Sequence, residues 1–149
     1  MENFGRFPKD NTIAHTNWQE LYVLTDHWKT DLLFYKDDLK FLNILLKKYF
    51  IWITRDDNLE AVEALGISVH RDRQKCNKLL KRIQEHLSRL VNIMEEPFKN
   101  NSVELRIKHK SLQDATAFFV KHVRENRKKV FEVTEKVMDT EHLQHTLQR

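Results

Sequence analysis

Two glycines and two prolines are all that punctuate 149 residues, and between them apolar residues recur at steps of three and four for tens of positions. A chain so poor in both residues has few places to turn, and that spacing places its apolar side chains on one face of a helix. The expected fold is therefore all-α. It is an antiparallel bundle of three long helices over about 17–53, 69–95 and 102–142, with one short helix over about 58–65.

Residues 1–15 read as an irregular arm, because Gly5 and Pro8 break any helix there, and residues 16–149 as one helical domain. The size, 18.1 kDa, fits a single domain. Asn17, with Glu20 three residues on, caps the first helix. Its seam runs Leu21, Leu24, Trp28, Leu32, Tyr35, Leu39, Leu42, Leu46, Tyr49, Ile53, with one stutter near Trp28. Unbroken to Ile53, that helix is roughly 55 Å long at about 1.5 Å per residue.

Asp56 and Asp57 then read as a turn, Leu59 to Leu65 as the short helix, and Gly66 as its left-handed stop. Ser68 caps the second long helix, whose stripe is Val69, Cys76, Leu79 with Leu80, Ile83, Leu87, Leu90 and Met94, ending before Pro97. The short helix is expected near Val130–Val137, giving a local four-helix cross-section. Asn101 with Glu104 opens the third helix, with seam residues Leu105, Leu112, Ala115, Phe119, Val123, Asn126, Val130, Val133 and Val137. Its alternative is a break at Ser111, which stands three residues before Asp114 as in a capping box.

Charged residues make up 32% and hydrophobic ones 40%, and the mean hydropathy of -0.65 suits solvated helices. The most apolar stretch, Phe41 to Ile53, is interrupted by Lys47 and Lys48, so no membrane span is expected. No secretory signal is read in the first thirty residues, and a single cysteine, Cys76, cannot form an internal disulfide; a cytoplasmic location is expected. Cys76 itself lies on an apolar stripe and reads as a small buried hydrophobe.

No Gly-x-Ser-x-Gly elbow and no glycine-rich phosphate loop occurs, so no enzymatic activity and no cofactor are expected. Eight histidines raise the alternative of a hemerythrin-like or ferritin-like metal-binding bundle. Its best ligand set is Asp37, Asp38, His86 and His109, which antiparallel threading brings to similar heights. Against it, Glu-x-x-His is absent and His86 flanks its stripe, so the four read first as solvated or hydrogen-bonded flank residues. Asp139, His142 and His145 share a face of the C-terminal tail but read as too frayed to hold a metal.

The net charge is +4. Arg71, Lys75 and Lys78 on the second helix with Arg124 and Lys128 on the third form a basic patch. Such a patch contacts phosphates by counterion release; with acids interspersed and no recognition motif, nucleic acid or an anionic surface is only a third reading.

The leading reading is an interaction or scaffold protein that self-associates as a homodimer and offers a surface to a protein partner. Leu33, Phe34, Phe41, Leu45, Phe50, Phe118, Val120 and Phe131 lie beside the main seams, and residues 49–53 are apolar all round. An interface centred on Phe41, Leu45, Phe50 and Trp52 is expected, because two neighbouring helices cannot cover so wide a face. The competing account folds Phe4, Phe7 and the short helix over it within one chain.

Overall fold

A computed structural model describes residues 17–53, 59–99 and 101–147, with side chains over 17–50, 59–99 and 101–136. The Phe4 and Phe7 arm, the 56–57 turn, Trp52 and the 139–145 histidine face fall outside the described backbone or side chains. Among the described residues three long helices form the fold: α1, Trp18–Ile53, α2, Leu59–Glu95, and α3, Ser102–Leu147. Among the described residues there is no strand, and a single 3-10 turn, Pro97–Lys99, precedes α3.

The caps form as their spacing requires. Asn17 Oδ1 accepts the Glu20 amide at 2.8 Å while its Nδ2 donates to Glu20 Oε1 at 3.1 Å, and Asn101 Oδ1 accepts the Glu104 amide at 3.0 Å. Each satisfies an amide that has no partner inside the helix. There is no break at Ser111, and Asp114 instead accepts Lys110 Nζ at 2.9 Å on the helix surface.

The separate short helix is overturned. Residues 59–65 are the opening turns of α2, Gly66 is helical with no positive φ, and Ser68 lies inside the helix rather than at its start. An internal glycine costs a helix about 1 kcal/mol relative to alanine. Val62, Leu65 and Val69 bury their side chains on both sides of it, and that burial outweighs the cost. Residues 59–65 therefore supply no fourth segment beside α3, and among the described residues the four-helix cross-section does not form.

Contacts divide the chain into two compact units. The first holds residues 18–35 of α1, 75–95 of α2 and 102–120 of α3. Leu21, Leu90, Ile93 and Leu105 close one end of its core, with Trp18 and Tyr22 packed against them. Lys29 Nζ reaches Gln84 Oε1 at 3.0 Å and Cys76 Sγ reaches the Leu32 carbonyl at 3.4 Å, so α2 runs antiparallel to α1 here. Arg106 of α3 lies 4.0 Å over the Trp18 ring. The second unit holds residues 36–53, 59–74 and 121–147, around Leu39, Leu42, Leu46, Val62, Leu65, Val69, Val123 and Val130.

Burial corrects the seams. On α1 it is Thr25, not Leu24, that is fully buried, and its hydroxyl returns to the Leu21 carbonyl at 2.7 Å. The stutter at Trp28 therefore disappears. On α2 the buried seam residues Val62, Leu65, Val69, Asp72, Cys76, Leu79, Ile83, His86, Leu90 and Ile93 form an unbroken alternation of three and four, with Leu87 buried beside them. On α3, His109 and Thr116 occupy seam positions and Ala115 is only half-buried. The seams are regular because polar residues complete them.

Candidate functional site

The polar seam residues gather in two places, one in each unit. In the first, His86 of α2 and His109 of α3 are both buried, and His86 Nε2 lies 2.9 Å from His109 Nδ1. Trp28 of α1 stacks on His109, with ring centroids 5.0 Å apart. Burial first, then the charges of Arg89, Arg82 and Lys108, push His86 down to about 4. Burial, with His86 and Arg106 adding to it, pushes His109 down to about 3. Both rings are neutral at pH 7. One therefore donates to the other, a pairing that two imidazolium rings cannot make.

The flank reading of His86 is thus corrected, because it is a core residue whose partner comes from another helix. His86 and His109 meet, but they direct a ring nitrogen each at the other. Asp37 and Asp38 belong to the second unit, where Asp37 is exposed and Asp38 accepts Arg127 Nε at 3.1 Å. Among the described residues no cluster of three or more His, Cys, Asp or Glu stands ready to hold a metal.

In the second unit Asp72 is fully buried on α2. Its Oδ1 lies 2.7 Å from His122 Nδ1 and its Oδ2 accepts Asn126 Nδ2 at 2.7 Å; the same amide donates to Ser68 Oγ at 2.8 Å. The sequence places Asn126 on the seam; its partners are Asp72, an acid among the basic residues of α2, and Ser68, which the spacing reads as a helix cap. A buried carboxylate is stable only with such donors around it. Asn126→Leu removes one of them, and the expected loss is about 1–3 kcal/mol in urea unfolding. Adding Asp72→Leu should recover part of that loss. An Asn126→Leu protein as stable as its parent would contradict this account of the pair.

Arg71, Lys75, Lys78, Arg124 and Lys128 are all exposed. Arg71, Arg124 and Lys128 belong to the second unit, Lys75 and Lys78 to the first.

The apolar surface expected on α1 separates into two sides. Phe41 is 48% exposed and Leu45 half-buried, and the Phe41 ring lies 6.4 Å from that of Phe131 on α3. Arg127 lies 4.8 Å over the Phe131 ring while bonded to Asp38, which anchors the ring that Phe41 meets. Ile44, 54% exposed, continues this surface. Phe50 follows Phe41 by nine residues, about two and a half turns at ~3.6 residues per turn, and so points the other way. There it lines an apolar groove of about 490 Å³ with Leu46, Val62, Gly66 and Ile67. Exposed apolar residues also occur in the first unit, with Leu33 and Phe34 on α1 and Phe118 on α3, whereas Val120 is buried.

No helix among the described residues is long and apolar enough to cross a membrane. Compared with known proteins, the chain matches no family, no curated protein and no solved structure.

Proposed function

We propose that this chain is a non-enzymatic helical-bundle interaction protein that self-associates through the Phe41, Ile44 and Leu45 surface of α1. The observation that carries this reading is two large apolar side chains about half exposed on one side of a helix whose own core positions are already filled. Water-exposed apolar surface of that kind favours burial by a partner. Phe41 meets a ring that the Asp38–Arg127 pair holds in place, so association immobilises little that is not already ordered. A two-fold arrangement buries the same residues from both copies, the commonest symmetry of soluble oligomers.

The non-enzymatic part rests on the chemistry that the side chains offer. Cys76 is buried against a backbone carbonyl rather than presented as a thiolate, and the paired histidines and Asp72 hold helices together. A single cysteine and the lack of a membrane-spanning helix among the described residues suit a reducing cytoplasm. The test is Phe41→Glu, alone and with Ile44→Glu. Sedimentation should report a lower mass than the parent with unchanged helical circular dichroism. A parent mass that persists in both variants would move the interface elsewhere.

A further inference from the structure

In the first unit a cleft of about 230 Å³ opens between α2 and α3, with buried His86 in its lining. Its lining includes Arg82, His86 and Arg89 from α2 and Lys108 and Ser111 from α3. Arg82 and Arg89 stand four residues before and three after His86, so both share its face of the helix. Lys108 faces them from the residue preceding His109. Neither arginine has a carboxylate within salt-bridge distance among the described residues. Lys108 binds Glu104 at 2.9 Å on an exposed rim, where an ion pair is worth little and exchanges easily. With Glu85 in the lining, three cations face two carboxylates, and the cleft keeps a positive balance.

The histidine pair adds a donor on His86. His109 Nε2 is buried without a hydrogen-bond partner. A buried N–H left unpaired is rarer and costlier than an unpaired acceptor, which assigns the proton of His109 to Nδ1. That N–H then donates to His86 Nε2, and neutral His86 carries its own proton on Nδ1, the remaining nitrogen of the residue that lines the cleft. Arg82, Arg89, Lys108, the His86 Nδ1–H and the Ser111 hydroxyl thus supply hydrogen-bond donors from two helices.

We infer that this cleft is a binding site for a small tetrahedral oxyanion, a phosphomonoester or free inorganic phosphate, held by Arg82, Arg89 and Lys108 over His86. The guanidinium groups match phosphate oxygens in geometry and charge, and the cleft has room for one such group rather than for a polymer. The site is independent of the self-association reading, since it involves neither Phe41 nor Ile44.

The full-length protein is titrated with sodium phosphate and, separately, with glycerol phosphate, against sodium chloride at matched ionic strength. Melting temperature and the ring resonances of His86 are both followed. Saturable stabilisation with movement of the His86 signals is expected, weakened about tenfold by Arg82→Gln with Arg89→Gln and unaffected by Arg71→Gln. Tighter saturation by glycerol phosphate assigns the site to a phosphomonoester; equal or tighter saturation by inorganic phosphate assigns it to the free ion. A response that chloride reproduces, that the double variant retains in full, or that leaves His86 unmoved overturns the site, as does no response to either anion.

Discussion

Acidification from pH 6.5 to pH 5 should weaken the folded protein by about 2 kcal/mol for each histidine of the core pair. The sign follows from where protons bind. In the unfolded chain each ring titrates near its usual 6.5, whereas folding lowers His86 to about 4 and His109 to about 3. Below pH 6.5 the unfolded state therefore takes up protons that the folded state refuses. Stability is full above that value and declines by about 1.4 kcal/mol per pH unit per ring until the folded values are reached. Ordinary carboxylates stay mostly ionised down to pH 5, so this window isolates the histidines. Urea midpoints at pH 7, 6 and 5 measure the effect, and His86→Leu with His109→Phe should flatten it. A midpoint that does not move between pH 7 and 5 would mean that the pair is hydrated or charged in solution.

Trp28→Ala should be the most damaging single substitution in the first unit, with a loss of about 3–5 kcal/mol, as for other large aromatic residues truncated inside a core. Trp28 is almost wholly buried and is the ring against which His109 stacks. Its removal opens a cavity beside a neutral imidazole. Water entering there stabilises the charged form, so the acid sensitivity between pH 6.5 and 5 should shrink in the variant. Trp28→Phe keeps a stacking face and should lose less. A Trp28→Ala protein within about 1 kcal/mol of its parent would show that this part of the core collapses around the gap.

The outline of the fold was legible because it depends on local signals. Caps at Asn17 and Asn101, the stop before Pro97 and the apolar spacing are properties of single helices. Leu42, Leu46, Ile83, Leu87 and Phe119 are buried as their spacing predicts. What escaped the reading depends on a second helix. Asp72 looks like one acid in a basic run until His122 and Asn126 arrive from α3, and His86 looks like a flank residue until His109 meets it. The strict alternation from Val62 to Ile93 carried the signal, but only if polar residues are admitted to the seam. Gly66 reads as a helix stop for a related reason. Glycine weakens a helix locally, and the packing of Val62, Leu65 and Val69 that sustains it is tertiary. The apolar residues read beside the seam of α1 divide by helix phase: Phe41 and Leu45 share a surface, while Phe50 lines the groove beside Gly66.

Self-association is the claim on which the proposed function stands, and the mass of the unaltered chain in solution tests it most directly. Light scattering across the micromolar range should give twice the chain mass of 18.1 kDa, falling toward one chain mass on dilution. A mass of 18.1 kDa at every concentration would contradict it.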